Sequence, residues 1–294
     1  MKTRQATKLI ASFLTLLAII TACSPANQSI STVTSLPVIT SRTPRPTPTD
    51  NVIPSSTPLT CLTQPGHVER AELDEFKPAQ QFLVYLPPCY DEMRDERYPV
   101  LYLLHGQTYN DDQWIRLGAV DILNRLIIAR EIKPFIVVFP DDRYWNLEAG
   151  PGFGDRLINS IIPYVDKTYR TIPDRDHRAI GGMSRGAGWS LRLGFTHWDL
   201  FSFIGLHSLA VMQKDATRVK DWIAAIPTSS RPVVFMDIGD KDQELIMAQQ
   251  VESIFNDSDL THEWHLYSGA HTEEYWGAHV EEYIRWYAEQ WDIP

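Results

Sequence analysis

Residues 81–291 predict an α/β fold, with a mainly parallel central sheet covered by helices on both faces. Three observations carry that expectation. Short apolar, β-rich runs recur along the chain, amphipathic stretches of helical length lie between them, and the glycine-flanked serine of "AIGGMSRGAG" stands where one such run gives way to a helix-like segment.

The runs are "QFLVYLPP" (81–88), "YPVLYLLHG" (98–106), "PFIVVFP" (134–140), "HRAIGGM" (177–183), "FSFIGLH" (201–207), "PVVFMDIG" (232–239) and "HEWHLYS" (262–268). Each is bounded by turn residues, and nearly continuous apolar character marks a strand buried on both faces. The helix-like segments are 120–129, 155–169, 184–196, 218–225, 245–256 and 276–291. Strand and helix alternate, so the sheet is expected to be parallel over most of its width, and functional groups should gather at the carboxyl ends of its strands.

The chain before this region reads differently. Lys2, Arg4 and Lys8 precede a twelve-residue apolar run, residues 9–20, too short to span a bilayer but suited to a signal h-region. It ends in Ile20-Thr21-Ala22-Cys23, which resembles the bacterial lipobox. That resemblance implies a lipoprotein signal peptide over 1–22, cleavage before Cys23, lipid modification of Cys23 and an extracytoplasmic, membrane-anchored protein. An ordinary secretory signal is the other reading.

Residues 24–60 hold 22 Ser, Thr or Pro among 37. A segment so poor in apolar side chains cannot offset its ordering entropy, so 23–60 is expected to be a disordered tether. Residues 61–294 contain neither an internal repeat nor a second linker, and one domain is expected. The formal net charge is −10, and the leader removes only positive residues, which argues against a nucleic-acid partner.

With Cys23 assigned to the lipid, Cys61 and Cys89 form an even pair in an oxidising compartment, where a disulfide is expected. The chain has no C-x-x-C or H-x-x-x-H spacing, so no metal site and no cofactor are expected. His262 and His265 fall on opposite faces of a strand.

Gly182-x-Ser184-x-Gly186 fits a nucleophile elbow, a sharp strand-to-helix turn that lifts a serine hydroxyl into the open. The pattern alone arises by chance in about one chain in ten of this length. Its position between an apolar run and a helix-like segment is what gives it weight.

A serine hydroxyl needs a histidine to take its proton and a carboxylate to hold that histidine. The expected chain order is Ser, acid, His. His271 lies in a small-residue loop after the last strand, whereas His279 falls inside a helix and reads as a surface residue. Asp237 is still within its strand; Asp240 and Asp242 both lie beyond it, and spacing leaves both open.

Two backbone NH groups must stabilise the oxyanion. Arg185, directly after the serine, supplies one candidate, and Gln107, after His105-Gly106, supplies the other. His105 itself reads as structural.

In order and spacing, "VYLPPCYD", "YPVLYLLHG", "IIPYVDKTYRT", "HRAIGGMSRGAG", "IGDKD" and "GAHTEEYW" resemble the esterase family of α/β-hydrolases that includes esterase D, feruloyl and acetyl-xylan esterases, enterochelin-type esterases and the mycolyltransferases. The resemblance extends over about residues 62–292. It implies an α/β-hydrolase fold, Ser184 as nucleophile, His271 as base, Asp242 in the G-x-x-D pattern as acid, and Gln107 and Arg185 as oxyanion donors. The family commonly has methionine where this chain has Arg185. That guanidinium could bind an acidic substrate group or pair with a nearby aspartate.

Aromatics near the strand ends, Tyr109, Trp114, Tyr144, Trp145, Tyr275 and Trp276, suit a sugar ring or a phenolic acyl group, or ordinary packing. The resulting expectation is a serine carboxylic-ester hydrolase acting on a small-molecule or polysaccharide-linked ester, carbohydrate-linked or cinnamoyl-type. Acyl transfer by the same residues and a silent binding module on the cell surface are the rivals.

Overall fold

A computed structural model describes residues 60–142, 152–212 and 214–291. The leader 1–22, Cys23, nearly all of the tether, Tyr144 and Trp145 lie outside the described residues.

Eight strands form one sheet in the order β1-β2-β4-β3-β5-β6-β7-β8. They are β1 (His67–Leu73), β2 (Gln80–Leu86), β3 (Val100–Leu104), β4 (Ile136–Pro140), β5 (Arg178–Met183), β6 (Phe203–His207), β7 (Val233–Gly239) and β8 (His262–Tyr267). β2 runs antiparallel to both β1 and β4, with Val84 opposite Val138. Every pairing from β4 through β3, β5, β6 and β7 to β8 is parallel.

The seven apolar runs account for β2 to β8. The strand that the run pattern misses is β1, "HVERAEL", a polar edge strand with only Ala71 and Leu73 buried. Its stability comes from pairing with β2 rather than from its own apolar content, so it leaves little apolar signal. β8 corrects the expectation in another way: it is not buried on both faces, because it closes the other edge and none of its residues is fully buried.

Helices pack on both sides. On one face lie α3 (Phe153–Arg156), α4 (Ile162–Thr168), α5 (Arg185–Thr196), α6 (Val219–Ala225) and α7 (Leu245–Asp257). On the other lie α1 (Gln113–Arg116), α2 (Ala119–Ile128) and α8 (Glu273–Gln290). In β3, Val100, Tyr102 and Leu104 enter the first core and Leu101 and Leu103 the second, the two-residue alternation of a strand with both faces covered. The helix expected over 155–169 is divided, with a π-helical turn at Leu157–Ile161 between α3 and α4. Pro163 is the second residue after that turn; lacking an NH, it leaves one carbonyl of the preceding turn without its helical donor.

Two glycines let α8 approach the sheet. A Cβ on Gly181 or on Gly205 would stand 1.7 Å from the Tyr287 hydroxyl oxygen, so only glycine leaves room for that ring over β5 and β6. Cys61 and Cys89 are joined in a disulfide, which ties the start of the domain to the loop after β2. Closing a loop of this length removes unfolded-state entropy worth ~3–4 kcal/mol.

Because β4 lies on one side of β3 and β5 on the other, the chain changes direction across the sheet at β3. The loops after β3 and β5 therefore open toward the same crevice, and the segments after β7 and β8 reach it from the side.

Candidate active site

Ser184 occupies the single residue between β5 and α5, with φ 54° and ψ −119°. That conformation is strained for any residue with a side chain, at a cost of order 1–3 kcal/mol. Surrounding bonds hold it: the Ser184 NH donates to the His207 carbonyl (2.9 Å), and the Ser184 carbonyl accepts from the Gly188 NH (3.0 Å). The flanking glycines are required by space. A Cβ at Gly182 would sit 2.7 Å from the Leu104 carbonyl oxygen, and one at Gly186 would sit 2.4 Å from the same atom. Larger residues would push the turn off β3.

The Ser184 hydroxyl lies 2.7 Å from His271 Nε2. His271 Nδ1 in turn lies 2.9 and 2.8 Å from the two carboxylate oxygens of Asp242. The imidazole is partly exposed, whereas the Asp242 side chain has no solvent exposure. Burial by itself raises the Asp242 carboxyl. The hydrogen bond from His271, the Glu244 NH, the imidazole charge and the Ser208 hydroxyl together outweigh it and hold the group below the usual carboxylate range.

The other candidate acid goes elsewhere. Asp240 accepts from the Gly269 NH (2.9 Å) and so fixes the loop that carries His271. His279 is not the surface residue its neighbours suggest. It is half-buried, with its ring stacked on Tyr267 at 4.4 Å. His262 and His265 point to opposite faces, toward Phe255 and Phe235 respectively.

Around the serine, Gly106 brings its loop close: a Cβ there would be 3.7 Å from that of Ser184, and the Gly106 NH donates to Gln113 Oε1. Gln107 follows in the chain and is exposed. Arg185 begins α5. His105 is buried, with Nδ1 2.7 Å from the Gly106 carbonyl oxygen and Nε2 accepting from the Asp142 NH at 2.7 Å. It ties the end of β3 to the end of β4.

The Arg185 side chain turns to Asp142, with Nε 2.7 Å from Oδ2, an oxygen that also accepts from Trp189 Nε1 (2.7 Å). Burial raises the Asp142 carboxyl, and its bonds to Arg185 and Trp189 only partly offset that rise. The aromatics divide as well. Trp114, Tyr275 and Trp276 are core residues, while Tyr109 stays exposed at 37%.

A buried polar cluster lies outside the expected site residues: Asp237 of β7 meets His207 of β6 and two tyrosines of α8. Its signal was there to find: a lone acid inside an apolar strand, a histidine ending the neighbouring run, and tyrosines four and eight residues apart in the last helix.

A strand order that reverses at β3, a strained serine between β5 and α5, and an acid and a histidine supplied in that order after β7 and β8 define an α/β-hydrolase. The family model described as "Putative esterase" matches residues 75–287. The chain belongs to this esterase family. It is 31% identical over 182 residues to an endo-1,4-beta-xylanase/feruloyl esterase of Xylanibacter ruminicola, an alignment covering 58% of this chain and 24% of that protein. The chain thus spans about a quarter of that relative. Among solved structures, a ferulic acid esterase superposes with a TM-score of 0.69 at 23% identity, covering 77% of this chain and 98% of the other. The feruloyl esterase module from Clostridium thermocellum superposes with a TM-score of 0.66 at 19% identity, over 80% of this chain and 94% of the module. At these identities the two structures establish the fold.

Proposed function

We propose that the chain is a serine carboxylic-ester hydrolase in which Ser184, His271 and Asp242 act as one unit. The observation that carries this reading is the 2.7 Å contact between the Ser184 hydroxyl and His271 Nε2 at a strained turn, with Asp242 behind the imidazole.

In the proposed reaction the serine oxygen attacks the ester carbonyl carbon and its proton passes to His271 Nε2. Asp242 keeps Nδ1 protonated and stabilises the imidazolium. The backbone NH groups of Gln107 and Arg185 receive the negative charge on the carbonyl oxygen. Collapse breaks the bond to the alkoxy group, which leaves with the proton from His271. Water, deprotonated by the same imidazole, then attacks the acyl-enzyme; the bond from the acyl carbon to the Ser184 oxygen breaks, that oxygen takes back a proton from His271, and the acid is released.

The Arg185 guanidinium is engaged by Asp142, so in this reading Arg185 serves through its backbone. The substrate class we favour is a carbohydrate-linked or cinnamoyl-type ester; a relative and two fold neighbours named for feruloyl or ferulic acid esterase activity support that choice. The expected result is that the purified chain hydrolyses short-chain nitrophenyl esters and releases ferulate from feruloylated arabinose. No hydrolysis across acetyl, feruloyl and lipid esters would overturn the reading, and ester products formed only with an added sugar acceptor would make the protein an acyltransferase.

The Cys61–Cys89 disulfide fits an oxidising compartment. With Cys23 as lipid attachment site, the domain over 61–294 would stand outside the cytoplasmic membrane on its tether. Cell fractionation tests this: full-length protein is expected in the membrane fraction and Cys23→Ala outside it, and equal partition of both would remove the anchor.

A further inference from the structure

We infer that Asp237, a residue out of reach of any substrate, is a positioning residue that sets the alignment of Ser184 with His271 through a buried network joining β6, β7 and α8. The inference rests on the catalytic roles proposed above for Ser184 and His271.

Asp237 has no solvent exposure, yet its carboxyl group has three close partners. Oδ2 accepts from the hydroxyls of Tyr275 and Tyr283, each at 2.7 Å. Oδ1 lies 2.7 Å from Nδ1 of His207, its register partner on β6. An ionised carboxylate is acceptor-only, so three donors converging on it is the arrangement that suits it. Burial first, and then the Asp237 charge, push both tyrosine hydroxyls above their ordinary range, so they stay protonated and remain donors. His207 is held further by stacking on Tyr283 at 3.7 Å, and its Nε2 lies 3.2 Å from the Tyr287 hydroxyl.

Two short paths lead from this network to the reacting groups, one through a backbone hydrogen bond and one along the chain. The first runs through His207, whose carbonyl receives the Ser184 NH and thereby fixes the strained turn. The second runs through Tyr275, four residues after His271. Its ring lies against Gly269 in the loop that presents the imidazole; a Cβ on Gly269 would be 2.4 Å from the ring. The next residue, Trp276, stands edge-on to His271 at 5.0 Å and donates from Nε1 to the Ser208 hydroxyl. Ser208 closes the circuit, because its NH donates to the Asp237 carbonyl and its hydroxyl acts on Asp242.

Serine and imidazole arrive directly after β5 and in the loop after β8, strands that are not neighbours in the sheet. A common anchor on the strands between them keeps the two at hydrogen-bond distance. A buried and fully bonded carboxylate resists displacement because any shift leaves an unpaired charge.

The test reads the reactivity of Ser184 itself. A fluorophosphonate probe labels the activated serine, and its single-turnover rate constant, measured far below the unfolding transition of each variant, reports the reactivity of that serine in the folded protein. Asp237→Asn replaces one carboxylate oxygen by an NH2 group, so either the two tyrosine hydroxyls or His207 Nδ1 faces a donor in place of an acceptor. It is expected to slow labelling roughly 10- to 100-fold, the scale of a small misplacement of reacting groups. It is also expected to lower kcat per titrated site with KM unchanged.

Tyr283→Phe and Tyr275→Phe, which keep the rings, are expected to slow labelling in the same direction and serve if Asp237→Asn does not fold. Leu123→Ala, a cavity in the core of α2, is expected to lower Tm and leave the labelling rate constant unchanged. Wild-type rate constants in the tyrosine variants, or in a folded Asp237→Asn, would overturn the inference. A wild-type protein that the probe does not label would instead overturn the catalytic reading on which it rests.

Discussion

Ser184→Ala is expected to lower kcat on a nitrophenyl ester by roughly 10⁴-fold or more while the domain stays folded. In barrier terms that loss is about 5.5 kcal/mol. Alanine removes the oxygen that would attack and leaves the turn as it is, because both residues face the same strain at φ 54°. Its Tm should therefore lie close to that of the wild type. Ser184→Gly separates the two roles: it is equally inactive, yet it relieves a backbone strain of order 1 kcal/mol and should melt higher than Ser184→Ala. Turnover in Ser184→Ala within a few-fold of wild type would end the serine mechanism. A large fall in Tm for that variant would mean that the hydroxyl holds the turn.

The second large effect separates two aspartates that stand only two residues apart. Asp242→Asn is expected to reduce kcat by roughly 10⁴-fold, because an amide offers His271 Nδ1 a donor as readily as an acceptor and no longer selects the productive tautomer. Asp240→Asn keeps an oxygen that can accept from the Gly269 NH, so its effect is expected to remain within a few-fold. Equal losses in the two variants would refute the assignment of the acid.

Stability should report the charge on Asp242 as well. The Asp242 carboxyl is held below its unfolded value, near 3.9. Its contribution to stability is then fully present above that value and is lost as pH falls through the lower, folded one. Wild type is expected to lose stability on acidification below about pH 4 more steeply than Asp242→Asn, as read from urea midpoints along a pH series. Parallel curves would show that the carboxylate is not held in the charged form.

The Arg185–Asp142 pair changes how the departure from the family pattern is read. A guanidinium directly after Ser184 suggests recognition of an acidic substrate group. In the folded protein its Nε is bound to a buried carboxylate that Trp189 also contacts, so the Arg185 side chain belongs to the wall of the site. Asp142 is placed for this by His105, whose Nε2 receives its NH. A histidine that reads as structural in the sequence thus supports the residue beside Ser184.

What the sequence by itself determined here is the local chemistry and its order. Apolar runs marked the covered strands because both faces of those strands meet helices. The glycines around Ser184 marked the turn because no larger residue fits against Leu104. The chain order of serine, acid and histidine could be read because each follows a strand end. Spacing left two acids open and only the family resemblance favoured Asp242; the tertiary structure brought Asp242 to His271, and it alone decided where the Arg185 guanidinium goes, that "HVERAEL" pairs as an edge strand, and that a lone aspartate in an apolar strand meets a histidine and tyrosines distant in sequence. Periodicity and turn chemistry act over a few residues and leave a trace in composition. Partner choice depends on strand register and on loop paths between residues tens of positions apart, and these exist only once the sheet and its helices have packed.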